Sequence, residues 1–119
     1  MMMLSDIETE NDVKLFSDIF YQKLLADERI NHLFLNLNME EHMPRIYSFW
    51  STILLGTMSY KRNMMETHQH LSLKKEDFPV WLRHFESTLR ENFEGDKTDE
   101  AISRANTIAM TMRYKLLGV

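Results

Sequence analysis

Apolar residues recur at intervals of three and four along most of the chain, which is the spacing of one face of an α-helix. We predict a first helix from about Asn11 to Ala26, with one apolar face formed by Val13, Phe16, Phe20 and Leu24 and flanked by Ile19. Ser5 and Glu8 have the spacing of a capping box, which indicates a short leading turn. A short irregular or helical piece with Ile30, Leu33 and Phe34 follows this helix.

A second long helix is indicated by a run of inward-facing residues, namely Ile46, Phe49, Trp50, Ile53 and Leu54. Gly56 is a plausible residue to end it, because glycine adopts the left-handed conformation without a steric penalty. We expect Pro44 in the first turn of this helix, where a missing backbone N–H costs little. That prediction places His42 at the start of the helix or just before it.

The second half of the chain begins with a polar stretch and continues with two strong helical patterns. From Met58 to Leu73 the sequence allows one short helix between two loops. A stripe then contains Phe78, Trp81, Phe85, Leu89 and Phe93, and a last helix contains Ala101, Ile102, Ala105, Ile108, Ala109, Met112 and Leu116. Asp96 or Thr98 could cap that last helix. No segment resembles a strand, so we predict an all-α fold with a single domain over residues 1–119.

Composition excludes several classes of function. The 14 basic and 18 acidic side chains give a net charge of -4, which is unfavourable for binding nucleic acid or an anionic membrane. The N-terminal residues lack the features of a signal peptide, and no apolar stretch reaches the ~20 residues of a membrane span. Cysteine is absent, which excludes disulfides and thiolate metal sites. We therefore expect a cytoplasmic protein without nucleic-acid or membrane partners, and we expect it to be a monomer.

Enzyme motifs are missing, and the histidines leave several possibilities open. No G-x-S-x-G turn, H-E-x-x-H pair or glycine-rich phosphate loop occurs among the 119 residues. His68 and His70 are two residues apart, so on a helix they point to different sides. A surface zinc or nickel site and an exposed polar turn are both compatible with this pair. A helical interaction module without a cofactor is a third possibility, in which the aromatic residues only pack.

A series of residues in the middle of the chain resembles the core signature of group III truncated haemoglobins. The Phe49-Trp50 pair is followed by an apolar run, Gly56 and Tyr60, and His68 comes eight residues after that tyrosine. Other matching features are Ile19-Phe20-Tyr21, Phe34 thirteen residues later, and His42 eight residues before Trp50. The resemblance runs from about Val13 to Leu117. Lys61-Arg62-Asn63-Met64 departs from the Gly-Asn-Pro that is common in the family.

This resemblance implies a two-over-two helical sandwich around a haem b, with His68 as the iron ligand. Because a C-x-x-C-H motif is absent, the haem is expected to be held noncovalently. Tyr21 and Trp81 are the implied hydrogen-bond donors to a bound ligand. His42 is either a gate at the pocket mouth or a partner of a haem propionate. The remaining implied cofactor contacts are Phe34, Ile46, Phe49, Trp50 and Tyr60, with Arg45 as propionate partner and Lys61 or Arg62 as alternatives.

The resemblance also implies the function. We expect ferrous iron that binds O2, and also NO and CO, with slow release from a polar pocket, as in oxygen transport. The alternative is a haem enzyme for nitric oxide dioxygenation or peroxide reduction. Since the sequence contains no reductase domain, that turnover would need an external electron donor.

Overall fold

The computed structural model describes residues 3–60, 68 and 71–119, and within them it contains α-helices and no strands. The helices are α1 (Glu10–Ala26), α2 (Met39–Leu55), α3 (Asp77–Asn92) and α4 (Asp96–Leu117), with a short 3₁₀ turn at Asn31–Leu33. The all-α fold class is thereby confirmed. None of the helices in this part of the chain is sufficiently long and apolar to cross a membrane.

The predicted leading turn with a capping box at Ser5 and Glu8 is wrong, because residues 3–8 form no helix; the capping box lies at Thr9, where α1 starts. The Thr9 hydroxyl accepts a hydrogen bond from the backbone N–H of Asp12 at 3.2 Å, and the Asp12 carboxylate accepts one from the Thr9 N–H at 3.0 Å. Both pairs have the spacing of a capping box. Ser5 lies in an extended segment before the helix, where its carbonyl accepts a hydrogen bond from the N–H of Glu94, between α3 and α4.

Helix α2 begins earlier than the sequence suggested. Asn38 caps it by accepting a hydrogen bond from the backbone N–H of Glu40 at 3.1 Å, so Pro44 lies in the second turn and not in the first. His42 consequently lies inside the first turn. Gly56 ends the helix at φ 70°, as predicted, and its N–H donates to the carbonyls of Ser51 and Thr52.

The cap of α4 comes from the other end of the chain, which corrects the assignment of Asp96 or Thr98. The Asp6 carboxylate accepts hydrogen bonds from the backbone N–H groups of Lys97 and Thr98, each at 2.9 Å, and from the Thr98 hydroxyl at 2.8 Å. Burial alone would raise the pKa of Asp6, but these hydrogen bonds lower it. Gly95 leaves room for the contact, because a Cβ there would lie 2.5 Å from Asp6 Cγ.

The helices of the described residues pack around a common core, and α2 also contacts α4. Helix α1 packs against α2 and also against α3, and α3 packs against α4. The centre of the core is aromatic, with Phe16 in edge contact with Phe85 at 5.9 Å and Phe20 in edge contact with the same ring at 5.2 Å. Towards one side, the core gives way to a cavity that contains chemically distinctive residues.

Candidate functional site

A cavity of about 410 Å³ lies between the helices. Its lining includes every residue that the sequence assigned to the site: Tyr21, Phe34, His42, Arg45, Ile46, Phe49, Trp50, Tyr60, His68 and Trp81. These residues come from α1, α2, α3 and the connecting segments, so the tertiary fold brings together positions that are up to 60 residues apart. The roles that the resemblance gave to them remain predictions.

Tyr21 and His42 form a hydrogen-bonded pair in the cavity wall. The Tyr21 hydroxyl lies 2.9 Å from His42 Nε2, and the two rings meet edge to face with centroids 5.2 Å apart. Burial raises the pKa of the Tyr21 phenol, so the hydroxyl keeps its proton. Burial lowers the pKa of His42 to about 4, and electrostatic interactions with His68 and Arg45 lower it further. At neutral pH the His42 imidazole is therefore uncharged.

Trp81 brings a second polar donor to the cavity. It lies on the first half of α3 and is half-buried, with its ring in edge contact with Phe20 at 5.5 Å. Within the residues that the structure describes, its indole N–H makes no hydrogen bond. Since an indole nitrogen can only donate, this group suits a ligand atom that carries negative charge.

His68 supplies a second imidazole to the cavity lining and is half-buried. Its backbone carbonyl accepts a hydrogen bond from the Leu71 N–H at 3.1 Å. His70, the other histidine of the alternative surface metal site, lies outside the described residues, as do Lys61 and Arg62. No group of three or more histidine, aspartate or glutamate side chains is placed to hold a metal in residues 3–60, 68 and 71–119.

Aromatic rings form much of the cavity wall, and a cation lies at its edge. Phe34 packs edge-on against Tyr21 with centroids 5.7 Å apart, and Phe49 packs in the same way against Tyr60 at 5.1 Å. Arg45 is exposed and lines the cavity. It makes no ion pair with another described residue, so its guanidinium is available to an acidic group of a ligand.

The cavity also contains residues that the sequence did not assign to a site: Phe20, Ile30, Leu33, Leu37, Leu71, Leu73, Asp77, Phe78, Ile108, Ala109 and Met112. The helical periodicity placed Phe78, Ile108 and Met112 on inward faces. It could not show whether an inward residue lines a cavity or packs in the core. Asp77 had no such signal. It is 7% exposed, and its carboxylate accepts a hydrogen bond from the backbone N–H of Lys74 at 2.8 Å.

These residues fit a haem. A porphyrin has broad apolar faces, two propionates and an iron atom that binds imidazole. The cavity has aromatic walls, an exposed arginine and an imidazole from His68, and its volume lies within the range of about 300–1,000 Å³ typical of cofactor sites. His68 would hold the iron, the aromatic residues would contact the ring, and Arg45 would meet a propionate.

Comparison with known proteins gives the family. Residues 4–114 match the model of the bacterial-like globin family. The chain is 33% identical over 110 residues to a group 1 truncated haemoglobin of Tetrahymena pyriformis, which covers 92% of this chain and 88% of that protein. It is 30% identical over 127 residues to a group 3 truncated haemoglobin of Campylobacter jejuni, with 98% and 99% covered.

Solved structures agree with this result. The crystal structure of the group III truncated haemoglobin from Campylobacter jejuni matches with a TM-score of 0.86 and 25% identity, over 96% of this chain and 95% of that one. The 2/2 haemoglobin from Synechococcus, solved in the cyanomet state with covalently attached haem, matches with a TM-score of 0.78 and 28% identity, over 92% and 93%. The chain therefore belongs to the bacterial-like globins, a haem-binding family, and within them to the group III truncated haemoglobins.

Proposed function

We propose that this globin binds O2 at ferrous haem b and releases it slowly, because Tyr21 and Trp81 donate hydrogen bonds to the bound ligand. The observation that carries the proposal is the presence of a protonated phenol and an available indole N–H on the walls of one cavity. Haem supplies the iron that binds the gas. The chain supplies the axial imidazole, the apolar walls and the polar donors.

His68 is the proposed iron ligand. Among the described histidines, His68 and His42 line the cavity, whereas His32 is exposed and His84 is held by Asp27 with a 2.6 Å contact. His42 Nε2 is already engaged with the Tyr21 hydroxyl. We therefore assign His42 to the side of the haem where the gas binds and His68 to the opposite side.

The Tyr21–His42 pair controls the donor on the ligand side. A phenol has one hydrogen, so when Tyr21 donates to His42 Nε2 it has none for a ligand. When the neutral imidazole carries its hydrogen on Nε2, His42 donates to the Tyr21 oxygen and the Tyr21 hydrogen is available. Bound O2 acquires partial negative charge and favours the second arrangement. A hydrogen bond to such an acceptor stabilises the bound ligand by roughly 1–3 kcal/mol.

His42 is the proposed gate of the pocket. Its hydrogen bond to Tyr21 holds the ring against the cavity and away from a propionate at the mouth. This position supports the gate over the propionate role, which we assign to exposed Arg45. The ring swings outward when the hydrogen bond breaks, and its location in the first turn of α2 gives it that freedom.

The remaining properties follow from the same site. NO and CO bind the same ferrous iron, and slow release suits oxygen storage more closely than rapid delivery. We further propose a single domain over residues 1–119 that works as a cytoplasmic monomer. Nitric oxide dioxygenation or peroxide reduction is the alternative function, since the same donors stabilise the oxygen species of those reactions, and an external electron donor would then be required.

Two measurements test the proposal. Wild-type protein should show the Soret band of a five-coordinate ferrous globin, which His68→Ala should lose and His32→Ala, the exposed control, should keep. Stopped-flow oxygen release should accelerate in Tyr21→Phe and Trp81→Phe. Tyr114→Phe is the matched control, because this tyrosine is 71% exposed on α4. Unchanged release in both cavity variants would refute the polar-pocket proposal, and faster NO consumption than oxygen release in the wild type would favour the enzyme.

A further inference from the structure

Two side-chain hydrogen bonds join α1 to α2 in the part of the chain that the structure describes. One is the bond between Tyr21 and His42 in the cavity wall. In the other, the Tyr47 hydroxyl donates to the Asp18 carboxylate, and neither of these residues lines the cavity. Asp18 precedes Tyr21 by three residues and Tyr47 follows His42 by five, so the outer bond lies about one helical turn from the inner bond.

The outer bond has the features of a strong contact. A hydrogen bond to an ionised carboxylate is stronger than one between neutral groups. Burial raises the pKa of the Tyr47 phenol to about 12, and the hydrogen bond to Asp18 adds to this effect, so the hydroxyl keeps its proton at neutral pH. The Lys14 ammonium lies 6.0 Å from the centre of the Tyr47 ring, at a distance where a cation is attracted to an aromatic face. Both partners of Tyr47 are residues of α1.

The first part of α2 has few other contacts that could hold it in place. The fully buried residues of this helix are Trp50, Ser51 and Leu54. Residues 39–49 are all half-buried or exposed. Pro44 lies within this first part, and it lacks the N–H that would bond to the carbonyl four residues earlier. The position of His42 therefore depends strongly on the contacts that this part of α2 makes with α1.

Tyr47 lies between His42 and the buried half of the helix. Along the helix axis, His42 is about 7.5 Å from Tyr47 and about 12 Å from Trp50, the first fully buried residue. If the outer bond is absent, a tilt of the helix about Trp50 displaces His42 about 1.6 times as far as the same tilt about Tyr47. A side-chain hydrogen bond is lost by about 3.6 Å. The 2.9 Å contact between His42 and Tyr21 therefore tolerates only a small displacement.

We propose that Tyr47 and Asp18 are positioning residues for the gate: their hydrogen bond holds α2 against α1 and thereby keeps His42 on Tyr21. The two residues lie outside the cavity, so they act on a ligand only through His42. This inference rests on the proposed function of His42 as the gate. Its consequence is that the frequency of gate opening depends on a contact outside the pocket.

A double-mutant cycle on the ferrous haem-loaded protein tests the proposal, with carbon monoxide binding measured by laser photolysis. Tyr47→Phe removes one oxygen atom and keeps the ring that Lys14 contacts. It should accelerate carbon monoxide binding several-fold, because the gate opens more often. In a His42→Ala background the same substitution should have no effect, since the gate is already absent. A substitution that only loosened the fold would change the rate in both backgrounds.

The other partner of the bond gives a second, independent set of variants. Asp18→Ala removes the acceptor and should bind carbon monoxide as rapidly as Tyr47→Phe. Asp18→Asn keeps an oxygen acceptor for the Tyr47 hydroxyl, so it should restore a rate close to that of the wild type. Lys23→Met is the matched control, because Lys23 joins α1 to α3 through Glu91 at 2.5 Å. It should leave the binding rate unchanged.

Nitrogen-15 NMR of the histidines in the carbonmonoxy form observes the gate without any rate measurement. The His42 resonances are identified by their absence in His42→Ala. Tyr21→Phe removes the inner bond directly and gives the shift of a released His42 ring. Tyr47→Phe should move the His42 Nε2 resonance in the same direction, whereas Lys23→Met should leave it in place.

Two results would overturn the proposal. The first is a His42 resonance and a carbon monoxide binding rate in Tyr47→Phe that both equal those of the wild type. The second is an equal acceleration by Tyr47→Phe with and without His42. If His42→Ala itself binds carbon monoxide at the wild-type rate, the proposed gate is wrong, and the His42 resonance still decides whether Tyr47 holds the ring in place.

Discussion

Asp27, the residue that ends α1, lies 2.6 Å from Nε2 of His84 in the middle of α3. The same carboxylate accepts hydrogen bonds from the backbone N–H of Arg29 at 2.9 Å and from its guanidinium at 3.0 and 2.7 Å. These contacts hold Asp27 in place at the start of the segment that carries Ile30 and Phe34 to the cavity.

The Asp27 contacts predict a defined loss of stability in acid. The hydrogen bonds from Arg29 and then His84 hold the pKa of Asp27 well below its usual value. An acid whose pKa is lower in the folded state stabilises the fold above its unfolded pKa, which is about 3.9, and this contribution is lost as the pH falls further. Asp27→Asn should lower the urea midpoint at pH 7, and the difference from wild type should shrink below about pH 4. Glu28 is an exposed neighbouring carboxylate, so Glu28→Gln serves as the control. It should have the urea midpoint of the wild type at pH 7 and at lower pH.

The Asp6 cap of α4 predicts that a residue near the N-terminus stabilises the C-terminal helix. Asp6→Ala leaves two backbone N–H groups without their partner, so it should lower the free energy of unfolding by about 1–2 kcal/mol. Urea denaturation followed by circular dichroism measures this change. Asp96→Ala is the control and should have a smaller effect, because its side chain makes no cap contact. An equal effect of the two variants would contradict the assignment.

The Tyr21–His42 hydrogen bond predicts that substitutions of its two members change different rates, oxygen release for Tyr21 and oxygen binding for His42. Tyr21→Phe should accelerate oxygen release by roughly 5- to 150-fold, since about 1–3 kcal/mol of stabilisation is removed. His42→Ala should accelerate oxygen binding, because the gate is removed, but should not accelerate release, because the Tyr21 hydroxyl then has no competing acceptor. Laser photolysis and stopped-flow mixing give the two rates. If His42→Ala releases oxygen as rapidly as Tyr21→Phe, the competition between the two acceptors does not exist.

Arg45 predicts a modest effect on haem retention. An exposed ion pair contributes about 0–1 kcal/mol, so Arg45→Gln should increase the rate of haem loss by no more than about fivefold. Transfer of haem to an excess of apomyoglobin measures this rate. Arg104→Gln, an exposed arginine on α4, is the matched control and should leave the rate unchanged. A similar increase in both variants would indicate a general effect of surface charge.

Local pattern was sufficient for most of the secondary structure. The periodicity of Val13, Phe16 and Phe20 fixes α1, and Gly56 ends α2, because both signals depend on residues a few positions apart. Pro44 misled the prediction of the start of α2. A proline tolerates several positions near a helix N-terminus, and the Asn38 cap determines which position it occupies.

The sequence by itself determined an all-α chain, and its resemblance to a known family predicted a set of residues that the structure places around one cavity. Only the tertiary structure decided which inward-facing residues line a cavity and which fill the core. Trp81 and Leu89 belong to the same stripe of α3, yet Trp81 borders the cavity and Leu89 is fully buried. The Asp6 cap and the stacking of Trp50 and Trp81 on the Phe85 ring were likewise decided by packing. A periodic pattern specifies the direction of a side chain from its helix, whereas its neighbours are set by distant parts of the chain.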